Sequence, residues 1–271
     1  MDLLVVGGTG LLGLEVTRQA RRAGHRVAAT CHTRTPQVAD VDWHALDIRQ
    51  RNEVIALVSA VQPGVVVNAA YRQSDWATTA DGGLHVALAA AAAGARLVHV
   101  SSDAVFSGAA GRYEETDLPD PTTPYGAAKA AAETAVKGIL PGAVIARTSL
   151  IIGRGDSQHE RHVHALATGT ATGALFTDDV RCPVDVGDLA AALLELAESP
   201  HAGVHHVAGA DAVSRHELGV LIARRDGLDE AALPTGLRAG NVPGPLDVRL
   251  DSGNTQKRLA TRLRGAREFL R

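Results

Sequence analysis

Short, continuously apolar runs alternate with longer alanine-rich segments through the first half of the chain. The runs Leu3–Val6, Arg26–Thr30, Val65–Val67, Leu97–Ser101 and Ala143–Arg147 predict strands, while Leu11–Ala23, Arg51–Val61, Gly83–Ala93 and Tyr125–Lys137 carry helical spacing. Gly24-His25, Pro63-Gly64, Gly94 and Pro141-Gly142 each stand just ahead of the next strand, as helix C-termini and helix-to-strand loops require. Strands that are apolar throughout, rather than on alternate residues, are buried on both faces. Separated by helices and joined by right-handed crossovers, they predict an α/β protein with a doubly wound parallel sheet.

The pattern changes after Arg147. Residues 154–182 mix Gly, His, Thr and charges and read as loop. Pro183-Val184-Asp185-Val186 then opens a strongly periodic helix, Val186–Glu198, followed by a short strand at Val204–Val207 and an amphipathic helix over 214–225. Residues 234–254 are rich in Gly and Pro and read as loop, and the basic tail Thr255–Arg271 reads as helical with a solvated face. The expected organisation is a sheet domain over 1–150, with about 183–208 returning to it. A second, smaller α/β lobe would draw on 151–182 and 209–271.

Composition narrows the possibilities. With 45% hydrophobic and 21% charged residues the chain is not a disordered one, and a net charge of −3 gives no global basic field for nucleic acid. Two cysteines, Cys31 and Cys182, cannot build a disulfide framework or a four-cysteine zinc site. No apolar run reaches the roughly 18 residues of a membrane helix, and Met1-Asp2 leads into the first strand without a basic leader. These features make a soluble cytoplasmic protein the expectation, with no nucleic-acid or membrane partner and a homodimer left open. His159, His162 and His164 lack a cysteine or carboxylate pattern that would make them a metal site, so no metal is expected. Cys182 reads as a packed small residue. There is no Gly-x-Ser-x-Gly elbow.

Candidate chemistry begins at Gly7-Gly8-Thr9-Gly10-Leu11-Leu12-Gly13, between the first strand and the first helix. Glycines there allow a tight turn and let backbone N–H groups approach a pyrophosphate at a helix N-terminus, which makes the loop a dinucleotide-binding candidate. The second strand ends Thr30-Cys31-His32-Thr33-Arg34, without the acid that holds the ribose of NAD. Arg34 is either a partner for a 2′-phosphate or a solvated loop residue; on the first reading NADP is favoured over NAD. Asp47-Ile48 would bracket an adenine, and Asn68-Ala69-Ala70 ends a strand at the sheet edge where ligands bind.

Tyr125-Gly126-Ala127-Ala128-Lys129 puts Tyr and Lys at i and i+4, on one helix face. With three Tyr and three Lys in the chain, chance supplies such a pair roughly 3% of the time. A nearby ammonium favours the phenolate and would lower the Tyr125 pKa, and a tyrosine so placed can give a proton to a carbonyl oxygen. Ser101-Ser102-Asp103 follows the fifth strand, where a hydroxyl either caps a turn or hydrogen-bonds a developing alkoxide.

Together with Val67-Asn68-Ala69-Ala70, Val100 through Phe106, Pro124 through Lys129, Arg147-Thr148-Ser149, Pro183 through Ala190 and Pro245 through Asp251, these motifs carry a resemblance. The sequence resembles the extended short-chain dehydrogenase/reductase superfamily and is most similar to nucleotide-sugar reductases of the dTDP-4-dehydrorhamnose reductase type. The resemblance implies a Rossmann-type sheet domain, a smaller lobe that binds the sugar nucleotide, and Ser102, Tyr125 and Lys129 as catalytic residues. It further implies that Tyr125 and Lys129 touch the cofactor, and that Asp103, Ala104, Leu150 and Arg249 belong with Ser102 and Tyr125 to the substrate side. Ala104 and Leu150 stand where the family carries aromatics, which reshapes the sugar pocket. Thr79 stands in a slot often held by Asn. The Asp-Glu pair of related dehydratases is absent, because Asp103 is followed by Ala104. The implied activity is NADPH-dependent reduction of a keto group on a nucleotide-activated deoxysugar. Epimerisation with retained NAD and a non-catalytic, cofactor-binding regulatory subunit are the alternatives.

Overall fold

The computed structural model describes residues 1–32, 38–240 and 242–271. Strands β1 (Asp2–Val6), β2 (Arg26–Cys31), β3 (Asp42–Ala45), β4 (Val65–Asn68) and β5 (Arg96–Ser102) alternate with helices α1 (Leu11–Arg22), α2 (Arg51–Val61) and α3 (Gly82–Ala92). After a short strand β6 (Gly111–Tyr113) come α4 (Pro124–Ile139), β7 (Val144–Thr148), β8 (Ile151–Ile152), α5 (Gln158–Ala167), β9 (Leu175–Phe176), β10 (Val180–Arg181), β11 (Val184–Asp185), α6 (Val186–Glu198) and β12 (Gly203–His206). The remainder contains β13 (Val213–Ser214), α7 (Arg215–Asp226), β14 (Thr235–Gly236), β15 (Val248–Leu250), α8 (Gly253–Gln256) and α9 (Ala266–Phe269).

Seven strands form one parallel sheet in the order β12-β7-β5-β4-β1-β2-β3. On one face α1 and α6 bury Leu12, Val16, Leu189, Leu193 and Leu196 against Leu3, Val5, Val67 and Val98. On the other, Val54, Val58, Val86 and Val136 from α2, α3 and α4 meet Leu4, Val6, Val66 and Leu97. The sheet is therefore doubly wound, and the strand order reverses between β1 and β4, where a crevice opens at the carboxyl ends of the strands.

A separate apolar cluster joins Ile152, Val163, Leu166, Leu175, Leu218, Ile222 and Leu270. Two sequence expectations fail in this region. The stretch read as loop holds α5, whose start is fixed by a reciprocal capping box between Ser157 and Glu160. Only Val163 and Leu166 supply its buried apolar side chains, so the helical period is faint. The tail is not one helix. Short turns α8 and α9 flank an irregular segment tied down by Leu259 and Leu263 and by Arg264 on Asp188 at 2.8 Å.

Candidate active site

The glycine loop crosses from β1 to α1 at the crevice. Gly7 has φ +82°, and a Cβ there would stand 2.8 Å from the Ala70 backbone nitrogen. A Cβ on Gly13 would lie 2.2 Å from the Gly7 carbonyl oxygen, so the first turn of α1 packs directly on the loop. The Gly7 N–H donates to Thr30 Oγ1 at 3.0 Å, pinning the loop to β2. Gly10 is the N-cap of α1 and brings no side chain over the helix end. Its backbone has room, the nearest atom to a Cβ being the Gly7 oxygen at 3.5 Å.

Two hollows meet at this loop. The smaller, about 280 Å³, is lined by Gly7, Thr9, Gly10, Thr30, Cys31, His32, Asp47, Ile48, Arg49, Ala69 and Ala70. Asp47 is held by a two-pronged ion pair to Arg49, which lowers its pKa to about 2. The larger, about 790 Å³, runs from Thr9, Gly10, Leu11, Leu12 and Gly13 past Ser102, Asp103, Ala104, Tyr125, Lys129 and Leu150 to His159, Arg181, Arg215 and Arg238. Tyr71 lines both.

Helix α4 sets the candidate catalytic side chains, Tyr125 and Lys129. Thr123 caps it by accepting the Gly126 N–H at 3.1 Å, and Pro124 fills the first helical position. A Cβ on Gly126 would meet the Ala104 carbonyl oxygen, so glycine lets the helix press against the end of β5. Tyr125 thus stands beside Ser102, and Lys129 one turn on reaches the Val100 carbonyl oxygen at 2.8 Å. The Lys129 ammonium also lies 5.3 Å from the Tyr71 ring centroid, and that ring is 5.8 Å from the Tyr125 ring.

Burial pushes Lys129 down to about 8. The expectation for Tyr125 is corrected: burial raises its phenol above the ordinary value, against the lowering effect of a hydrogen bond from Ser102. In the protein alone Tyr125 is a protonated acid. Ser102 meets the first of its two sequence readings, the turn cap. It accepts the Ala104 N–H at 3.2 Å as the cap of the turn Asp103–Val105, and its hydroxyl faces Asp103 Oδ1 at 3.2 Å.

Buried polar contacts hold this wall in place. Ser149 donates to Asp103 Oδ2 at 2.6 Å. Ser101 donates to Glu133 Oε1 at 2.6 Å, and Glu133 takes the Arg147 fork at 2.8 to 3.3 Å with both side chains 1% exposed. Asn68 lies beneath the surface of the site. Its Oδ1 accepts the Ala70 N–H at 3.2 Å, so it shapes the loop without lining either hollow. Thr79 braces the next segment by bonding both the N–H and the carbonyl of Arg72.

Of the sequence-selected arginines, Arg249 lines neither hollow. Strand β15 buries Val248 and Leu250 and turns Arg249 outward, where its fork closes on Asp247 at 2.7 Å. Arg34 lies outside the described residues. The clustered histidines part company: His159 lines the large cavity, and His164 bonds Asp226 at 2.6 Å. Burial raises the Cys182 thiol to about 11, in keeping with a packing role. Sequence reasoning missed Tyr71, Arg181, Arg215 and Arg238, which come together only through the tertiary fold.

A doubly wound sheet with a glycine loop at its reversal point and a Tyr-x-x-x-Lys helix beside it defines the class: an NAD(P)-dependent oxidoreductase of the short-chain dehydrogenase/reductase type. Within that class, the chain belongs to the RmlD substrate binding domain family, whose model matches residues 1–271. It is 34% identical over 256 residues to the probable low-salt glycan biosynthesis reductase Agl14 of Haloferax volcanii, covering 88% of this chain and 85% of the relative. It is likewise 34% identical over 230 residues to dTDP-4-dehydrorhamnose reductase of Mycobacterium tuberculosis, covering 79% of this chain and 71% of that protein. Two solved structures share the fold at 20% identity. One is dTDP-4-dehydrorhamnose reductase from Bacillus anthracis in complex with NADP (TM-score 0.85; 100% and 97% of the two chains). The other is the Bordetella bronchiseptica enzyme WbmH in complex with NAD+ (TM-score 0.84; 100% and 96%).

Proposed function

We propose that this protein reduces a keto group, at C4, of a nucleotide-activated deoxysugar, and that it takes its hydride from NADPH. The observation that carries the reading is that Ser102, Tyr125 and Lys129 line one 790 Å³ cavity together with the glycine loop and a cluster of arginines. The sheet domain over 1–150, with 183–208, would hold the dinucleotide. The segments 151–182 and 209–271 would supply the sugar-nucleotide side.

The residues present fit a dinucleotide. Gly10 leaves the N-terminus of α1 uncovered between both hollows, and its free N–H groups and dipole favour a pyrophosphate. The smaller hollow, bounded by Asp47 and Ile48, would take the adenosine. Arg72 in its lining, with no acid at the end of β2, suits a 2′-phosphate. When bound, the nicotinamide supplies hydride to the carbonyl carbon. Tyr125 gives its proton to the carbonyl oxygen, and its raised pKa keeps that proton in place beforehand. The Ser102 hydroxyl can turn from Asp103 toward the same oxygen and steady its developing charge. Lys129, held on Val100, keeps a positive charge near the phenol and the ribose side of the loop.

The test is oxidation of NADPH by the purified protein alone when a 4-keto nucleotide sugar is added. Substrate-dependent loss of NADPH absorbance, with a matching reduced sugar product, is expected. Absence of turnover across dTDP-, UDP- and GDP-linked 4-keto sugars would overturn the reading.

A further inference from the structure

Helix α4 carries, one turn beyond Lys129, a buried acid that the proton transfer does not use. The Glu133 side chain is 1% exposed. Its Oε1 accepts the Ser101 hydroxyl at 2.6 Å and the Arg147 Nε at 3.0 Å, and its Oε2 accepts the Arg147 Nη2 at 2.8 Å. Arg147, equally buried, donates from Nη1 to the Asp117 carbonyl oxygen and holds its guanidinium 4.9 Å from the Phe106 ring centroid. Lys137, a further turn along α4, stands 3.9 Å from the same carboxylate.

These bonds converge on the reaction site from three elements. Ser101 precedes Ser102 on β5. Arg147 stands on β7 two residues before Ser149, which donates to Asp103. Lys129 and Glu133 grip consecutive residues of β5, the first through the Val100 carbonyl oxygen and the second through the Ser101 hydroxyl. The ammonium and the carboxylate therefore lie one helical turn apart over the same strand. Fastening alone does not call for charge. A buried ion pair carries a desolvation cost, and well-packed apolar side chains of similar volume hold elements together as firmly or more so. What apolar side chains cannot provide is a fixed negative charge beside a buried cation.

We propose that Glu133 is a positioning residue that acts through Lys129: its carboxylate, locked in place by Arg147 and Ser101, is the buried counter-charge of the Lys129 ammonium. The attraction works against burial, since desolvation lowers the Lys129 pKa and Glu133 raises it. The other titratable groups around Lys129 supply no such charge. His99 on β5 is kept neutral by burial, and Tyr71 and Tyr125 hold their protons. Asp103, beside Tyr125, is engaged by Ser149 and Arg181. The inference rests on the reading of Lys129 as a cation that serves the proton transfer, and it adds the group that keeps it one.

NMR titration of protein isotope-labelled at lysine Cε tests it without any substrate, because the chain has three lysines and Lys129→Met identifies the signal in question. In wild type the Lys129 signal should titrate near pH 8. Glu133→Gln keeps the size of the side chain and removes its charge. Its Lys129 midpoint should fall by about one pH unit or more, and the alkaline limb of kcat/KM for NADPH oxidation should fall with it. Ser101→Ala loses the hydrogen bond to Glu133 but keeps the carboxylate, and should leave the midpoint where it was. Glu133→Gln strands the Arg147 charge; if that variant does not fold, Glu133→Leu combined with Arg147→Met, which strands none, should show the same downward shift. A wild-type midpoint in a folded protein lacking the Glu133 carboxylate, or an equal shift in Ser101→Ala, would overturn the proposal. A lowered midpoint in Glu133→Gln of a protein that oxidises no NADPH would uphold the counter-charge and overturn the reductase reading alone.

Discussion

Lys129 hangs from strand β5 by a 2.8 Å hydrogen bond to the Val100 carbonyl oxygen, so the helix that carries Tyr125 is fastened to the strand that carries Ser102. This contact places a cation in an almost fully buried position, 3% exposed, and burial brings its pKa to about 8. The two consequences have opposite signs. A lysine whose pKa is depressed by folding destabilises the native state most below about pH 8, and that penalty disappears as pH rises toward 10.5, where the unfolded chain also loses its proton. Activity that needs the ammonium should instead decline as pH rises through about 8.

Lys129→Met is therefore expected to lower kcat at least a hundredfold without lowering stability at pH 7. The shift of Lys129 corresponds to a penalty on the order of 3 kcal/mol as an upper bound. Thermal unfolding of the variant should accordingly show an equal or higher Tm. In wild type, kcat/KM should fall about tenfold per pH unit above pH 8, since that ratio reports groups of the free enzyme. A flat profile to pH 9.5 would detach the Lys129 charge from the reaction.

Tyr125→Phe keeps the ring that packs against Tyr71 and removes only the hydroxyl. Loss of one general acid costs about 10²–10⁴ in rate. NADPH affinity and Tm should change little, because the ring and its packing against Tyr71 are retained. Steady-state kinetics with a fluorescence titration of NADPH separates the two effects. Near-wild-type kcat would remove Tyr125 as the proton donor.

The proposed preference for NADPH is expected to depend on Arg34, for a chemical reason: β2 ends without a carboxylate to repel a 2′-phosphate. A charge-assisted hydrogen bond contributes roughly 1.5–3 kcal/mol, or about tenfold or more in affinity. Arg34→Ala should weaken NADPH by that factor and leave NADH nearly unchanged. If both cofactors weaken alike, or if wild type prefers NADH, the selectivity lies elsewhere, with Arg49 and Arg72 the next arginines to replace.

Much of the central sheet and the placing of Ser102, Tyr125 and Lys129 is legible in the sequence because each local signal agrees with the fold. The apolar run Leu3–Val6, the glycines after it and the periodic start of α1 all point to one turn. Helix α6 is bounded as expected because Asp185 caps it with bonds to the N–H groups of Gly187 and Asp188. The substrate end is less legible. Helix α5 presents mostly His and Arg, so its capping box is the better signal than its periodicity. Arg181, Arg215 and Arg238 lie on three elements far apart in the chain, and no spacing rule joins them to Asp179. Arg249 sits in a matching motif, and the period-two alternation of β15, with Val248 and Leu250 buried, turns it to solvent.

The glycine loop itself offers a contrast that separates folding from cofactor binding. At Gly13 a methyl group would stand 2.2 Å from the Gly7 carbonyl oxygen, a backbone atom that cannot move without shifting the loop and the strand behind it. At Gly10 the nearest atom is 3.5 Å away, an ordinary contact, and the position opens on both hollows. Gly13→Ala should therefore destabilise the protein by about 2 kcal/mol or more, as overpacking against fixed backbone does. Gly10→Val should cost less stability, mainly the strain of a branched residue at the N-cap, yet weaken NADPH by at least a hundredfold, because the side chain occupies the space the pyrophosphate needs. Urea unfolding and NADPH titration on both variants make the comparison. Normal NADPH affinity in folded Gly10→Val would reduce the loop to a plain strand-to-helix turn and remove the pyrophosphate from the N-terminus of α1.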